Sequence, residues 1–245
     1  MKKNVMMRVA SIMLVLVLMT SSVISGTFAK YVSSTEASAT ARVAKWGVEF
    51  VTNSNDLFKP QYNYKAVPSG VIADFSVEAN VDVVAPGTSG SGYNFSTKHP
   101  MGDPEVSYVV TFDVKDGAKT IFLDESGTKY YPIKYSLKLG STVIATDVQD
   151  FNAVMGALEK CQYMYDVDKK DYYISVDGGA TWIPHTGIPV LDLTWDWTFY
   201  VDGATDVKDT KLGNLAAGYS LVQVGATAVE LEVAFSITAT ATQID

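Results

Sequence analysis

A two-residue rhythm constrains this chain more than any other feature. In "VLDLTWDWTFYV", Leu191, Leu193, Trp195, Trp197 and Phe199 take every second position, with Asp192, Thr194 and Asp196 between them. Successive side chains of a strand point to opposite faces, so this spacing specifies a strand with one buried face rather than a helix. The rhythm returns in residues 43–51, in Phe75, Val77, Ala79, Val81 and Val83, and in Val106, Tyr108, Val110 and Phe112. A hairpin is expected from Tyr130 to Thr146, with its turn at Gly140-Ser141, and "YMYDV", "DYYISV" and "AVELEVAFSITATATQI" add further strands. Ala85-Pro86-Gly87 reads as a turn, and the "TSGSG" after it as a flexible polar connection. Only residues 147–160 break the pattern: Val148, Phe151, Val154, Met155 and Leu158 recur at helical spacing behind Thr146 or Asp147 as N-cap. The expected fold is all-β, a jelly-roll-like β-sandwich with one short amphipathic helix capping one end.

The first residues follow a different logic. Lys2, Lys3 and Arg8 precede an apolar run from Val9 to about Val23, and Thr27-Phe28-Ala29 offers small residues for cleavage. The expectation is a signal peptide over residues 1–29, cut between Ala29 and Lys30; a retained anchor is the competing reading. Of 245 residues, 216 then remain, enough for one all-β domain. Without Lys2, Lys3 and Arg8 the 19 basic residues fall to 16 against 27 acids, a mature charge of −11, which disfavours nucleic acid and anionic membranes. Cys161 is the only cysteine, so no disulfide can form within the chain, and an exported protein of this kind suits a Gram-positive exterior. The C-terminal "ITATATQID" carries no apolar tail or sorting signal, so no covalent anchor is expected.

Candidate chemistry is sparse. His99 and His185 lack the spacing of a helical zinc-protease motif, and "GTSGSG" lacks that of a phosphate loop. "SVDGGATW" matches an Asp-box through Ser175, Asp177, Gly179, Thr181 and Trp182; with Arg42 the only arginine after the cut, no arginine cluster of the sialidase kind is available, and a structural hairpin is expected. Two aspartate groups are candidates for calcium: Asp166, Asp168 and Asp171, and Asp202, Asp206 and Asp209. Both are read first as solvated loops, because Lys169, Lys170 and Lys208 dilute their charge. Trp195 and Trp197 share a face that is usually core. Tyr130, Tyr131, Tyr172 and Tyr173 put neighbouring rings on opposite faces, and sequence does not separate core from a glycan platform.

The export signal ending "SGTFA", Tyr31, the Ala/Ser/Thr leader, "ATARVAKWGVEF", "VAPGTSGSGYNF…PEVSYVVTFDV" and the closing "AVELEVAFSITATATQ" together resemble the TasA/camelysin family of exported Gram-positive proteins. The resemblance implies a jelly-roll subunit processed by a dedicated signal peptidase; some members are labelled metalloproteases although the family lacks an obvious zinc motif, as this sequence does, and no enzymatic activity is expected here. It also implies head-to-tail polymerisation with copies of itself into biofilm matrix or surface fibres, with accessory matrix proteins or polysaccharide as further partners. In such fibres the new N-terminal strand enters the sheet of the next subunit. The Asp-box and "DLTWDWTFYVDG" depart from the best-known members. On this reading residues 1–29 are the signal, 30–42 the donor leader and 43–245 one β-sandwich domain, with Lys30, Tyr31, Val32, Ala37, Ala39 and Ala41 as donor residues. An unpaired sheet edge gives such a strand its physical basis. No cofactor is expected beyond the candidate calcium. The alternatives are a surface module binding glycan or calcium and, behind it, a camelysin-like metallopeptidase.

Overall fold

The computed structural model describes residues 32–36, 47–53, 57–58, 61–62, 84–199 and 201–244, all within the compact unit Val32–Asp245. The signal segment, the cleavage pair Ala29 and Lys30, the donor residues Tyr31, Ala37, Ala39 and Ala41, and all but the last residue of the strand expected at 71–84 lie outside the described residues.

Two antiparallel sheets carry the domain. The first contains β1 (Val32–Glu36), β15 (Ala234–Ile244), β5 (Ser107–Lys119), β10 (Gln162–Asp166), β11 (Asp171–Ser175) and β12 (Ile183–His185), side by side in that order. The second contains β2 (Glu49–Asn53), β4 (Thr88–Lys98), β13 (Leu191–Trp197), β8 (Lys134–Leu139) and β9 (Thr142–Val148), and β3 (Gln61–Tyr62) also pairs with β4. A small third sheet joins β14 (Ala228–Glu230), β6 (Phe122–Glu125) and β7 (Thr128–Tyr130). Stripped of β2, β3, β11 and β12, the two main sheets read β1-β15-β5-β10 and β4-β13-β8-β9. In chain order these are strands one, eight, three, six and two, seven, four, five, which is the jelly-roll connectivity. Val32–Glu36 is therefore the first strand of this chain's own roll.

The core follows the alternation read from sequence. Leu191, Leu193, Trp195 and Trp197 are buried, while Asp192, Thr194 and Asp196 between them are only partly so. Phe95 meets Phe112 at 6.0 Å and Tyr93 meets Phe235 at 5.3 Å between ring centroids, which ties one sheet to the other. Helix α1 (Phe151–Leu158) buries Phe151, Val154, Met155 and Leu158, and Phe151 lies 4.4 Å from the Tyr135 ring.

Four expectations change. β9 continues to Val148, so the first helix starts later than 147 and its N-cap is Asp150, whose carboxylate accepts from the amides of Asn152 and Ala153. "TSGSG" is the start of β4 rather than a flexible connection. Trp195 Nε1 donates to the Leu57 carbonyl at 2.5 Å, and a Cβ at Gly90 would collide with both of those groups, so glycine there serves close approach rather than flexibility. The acidic stretch after Asp202 is helix α2 (Gly203–Ala216), followed by α3 (Leu221–Val224), so the described residues hold three helices where one was expected. Only Asp209, Leu212 and Leu215 of α2 are buried, too few to leave a readable apolar stripe. Finally, "AVELEVAFSITATATQI" is two strands in two different sheets, β14 and β15, separated by residues 231–233.

Candidate functional site

The outer edge of β15 is the candidate site, and among the described residues β1 alone covers it. Val32 pairs with Thr242, Ser33 with Ala241, Ser34 with Thr240, Thr35 with Ala239 and Glu36 with Thr238, antiparallel. β15 turns Ile237, Ala239 and Ala241 into the core. The register sets Ser33 opposite Ala241, Thr35 opposite Ala239 and Val32 opposite Thr242. The described part of the leader also pairs within its own chain, whereas the sequence reading gave its partner as another molecule. Thr238 is buried, and its hydroxyl has no hydrogen-bond partner among the described residues.

The other outer strands are blunted. β12 is three residues long and contains Pro184, which cannot donate to a ladder. β9 loses register twice against β8, and Asp147 within it sits at φ 52°, in the left-handed region. β2 spans five residues along one end of β4. β15 instead runs for eleven residues and pairs with β5 from Ala234 to Ile244 with one register shift at its start. It is a long edge that the described residues cover over five positions, a place where strand addition can occur.

The Asp-box residues form a closed loop after β11. Ser175 Oγ donates to Asp177 Oδ1 at 2.7 Å and accepts from the Gly179 amide at 2.9 Å, and the Thr181 amide donates to Asp177 Oδ1 at 2.9 Å. These bonds, the Ser175 hydroxyl foremost, hold the Asp177 carboxyl down to about 2. Gly179 has φ 88°, and a Cβ there would lie 3.7 Å from the half-exposed Trp182 ring.

Neither aspartate group converges on one point. Asp166 accepts from the amides of Asp168 and Lys169 and pairs with Lys169 Nζ at 2.9 Å, closing the β10–β11 turn. Asp202 is the N-cap of α2, bound by the Thr205 amide at 2.7 Å, and Asp206 lies in the first turn. Asp209 faces inward instead: its Oδ1 accepts from Tyr130 Oη at 2.9 Å and Trp197 Nε1 at 3.2 Å. Burial pushes its carboxyl up to about 6, against the pull of those two donors. Among the described residues no group of three or more His, Cys, Asp or Glu side chains is placed to hold a metal ion, and no helix is long and apolar enough to cross a membrane.

Sequence reasoning missed one cluster. Tyr108, Tyr165 and Tyr172 stand in one cross-strand row on β5, β10 and β11, and His99 reaches over them from the end of β4. His99 Nε2 lies 2.9 Å from Tyr108 Oη, which also meets Thr97 Oγ1 at 3.1 Å. Burial lowers the His99 pKa and raises those of all three tyrosines. Each strand showed its tyrosine in the sequence, but the row exists only through register. His185, the other histidine, packs on Gly140 in the β8–β9 turn and bonds the Gly187 carbonyl at 3.0 Å.

Comparisons with protein-family models, with curated proteins and with solved structures returned no match.

Proposed function

We propose that this chain is an exported, non-enzymatic structural subunit that assembles into surface or matrix fibres by passing β1 to the next copy. The observation that carries the reading is the β15 edge: an eleven-residue strand is covered, among the described residues, by a five-residue N-terminal strand. The strand reads Val-Ser-Ser-Thr-Glu, short and polar, so we take it to be held chiefly by its backbone ladder and to exchange at low cost. Each subunit then offers a strand at one place and an edge at another, a head-to-tail contact that does not close on itself and builds a filament. Cleavage before Lys30 frees the strand for this use, and the family resemblance points the same way.

Electron microscopy of the purified mature chain tests the reading. The chain from Lys30 onward is expected to form filaments. The chain from Arg42 onward should form none, and it should shorten those of the full chain when mixed in, because it receives a strand but donates none. Filaments from the truncated chain alone, or a mature chain that stays monomeric under all conditions, would overturn the proposal.

A further inference from the structure

His99 follows directly on β4 of the second sheet, and its ring lies among tyrosines of the first. It stacks on Tyr172 of β11, with planes 11° apart and centroids 6.3 Å apart, and stands edge-on to Tyr108 of β5 at 5.9 Å and Tyr165 of β10 at 5.7 Å. Three strands of one sheet thus converge on a residue at the end of a strand of the other. The Gly102 amide donates to the His99 carbonyl at 3.1 Å, so the chain turns at once, and Met101, Gly102 and Asp103 of the connection to β5 are exposed. The imidazole itself is half-buried.

The hydrogen bonds around it suit one charge state. Neutral His99 can take the Tyr108 hydroxyl hydrogen at Nε2, 2.9 Å away, while Tyr108 Oη accepts from Thr97 Oγ1 at 3.1 Å. A second proton on the ring makes Nε2 a donor as well. Tyr108 must then turn its hydrogen towards Thr97, and Thr97, only 3 % exposed, must turn its own away. The groups that face the ring from β5, β10 and β11 are phenols that burial keeps neutral. The Asp103 carboxylate favours the added proton, but burial outweighs it and lowers the His99 pKa. The unfolded chain therefore takes up this proton before the folded chain does. The hold is complete above about pH 6.5 and fades as pH falls below that value.

We propose that His99 is an acid-released latch: neutral, it holds the end of β4 against the tyrosine row of the other sheet, and on protonation it lets that end of the sandwich open. The inference goes beyond the strand-exchange reading and does not depend on it. Asp209 works at the other end of β4, where its partner Trp197 pairs with Thr88, and its burial acts in the opposite sense, firming the domain towards acid. The two titrations are therefore separable by place as well as by sign.

Hydrogen exchange read by mass spectrometry on the purified chain tests the latch, with protection corrected for the intrinsic pH dependence of exchange. Between about pH 7.5 and about pH 5, protection in the last residues of β4 and the first of β5 should fall several-fold, while that around Trp197 should not fall. His99→Phe keeps a ring among the tyrosines and takes up no proton; His99→Gln keeps a hydrogen-bond partner for Tyr108. In either variant, protection at this end should be the same at both pH values. Asp103→Asn removes the charge that favours protonation and should move the midpoint of the loss to lower pH, a shift that a merely structural histidine would not give. Asp103 is exposed, so this arm does not depend on the His99 variants folding. The latch is overturned by a folded His99 variant that loses protection with acid as the wild type does, by an unmoved midpoint in Asp103→Asn, or by a wild type whose two ends lose protection together.

Discussion

Asp209 is a buried carboxylate whose charge the fold opposes. It is 7 % exposed, and its Oδ1 takes hydrogen bonds from Tyr130 and Trp197. Burial first, and the Asp206 charge as a lesser cause, raise the carboxyl from the ordinary 3.8 to about 6. Between those values the native state keeps a proton that the unfolded chain has lost. Stability from this group is therefore fullest below about pH 4, falls as pH rises towards about 6, and is flat above. At about 1.4 kcal/mol per unit, ionised Asp209 costs at most about 3 kcal/mol at neutral pH. Solvent around the exposed flank of α2 screens part of this, leaving about 1–2 kcal/mol. Asp209→Asn keeps the acceptor and removes the charge, so it should stabilise the domain by that amount near neutral pH. For a domain of this size this raises Tm by about 2–8 °C. Urea denaturation at about pH 4.5 and about pH 7.5 should show the wild-type difference shrink in the variant. Asp209→Ala leaves the Tyr130 hydroxyl and the Trp197 N–H unpaired and should destabilise at both pH values, by about 1–3 kcal/mol for each orphaned donor. If Asp209→Asn instead destabilised at neutral pH, the carboxylate would have a charge partner, a cation shared with Asp202 and Asp206 being the first to test by calcium titration.

Gly90→Ala should cost about 3 kcal/mol or more by urea denaturation, since the added Cβ overlaps the Leu57 carbonyl and the Trp195 indole. Gly140→Ala should also destabilise, because φ is 57° there and the His185 ring occupies the space; a Tm unchanged from wild type would contradict the packing. The Cys161 thiol, buried and pushed up to about 12, should resist a thiol reagent in the native protein and react promptly in denaturant. Asp177→Ala should open the 175–182 loop to proteolysis, and acidification towards about pH 2 should do the same in the wild type. Its depressed carboxyl contributes above the unfolded value, and that contribution fades as pH falls through the folded one.

Much of the architecture was legible before any coordinate. Leu191 to Trp197 reads as a strand because side chains on a pleated backbone alternate, and the same local rule located β5, the β8–β9 hairpin, β10 and β11, while helical spacing located α1, though not its start. Composition and turn residues then restricted the class to a sandwich. The misreadings arose where a residue's partner is distant in sequence. Gly90 looks like a flexible glycine until Trp195 lies across it. Asp209 looks solvated until Tyr130 and Trp197, far apart along the chain, meet at its oxygen.

The edge that carries the proposed function has the same origin. "ITATATQI" announces a strand and "VSSTE" hardly more than a polar leader; neither says which neighbour it takes. Only the sheet order, with β15 between β1 and β5, makes one a covered edge and the other its cover. Alternation is a local property of the backbone and can be read residue by residue. Register and edge status belong to pairs of strands far apart in the chain, and they come into being only when the sheets form.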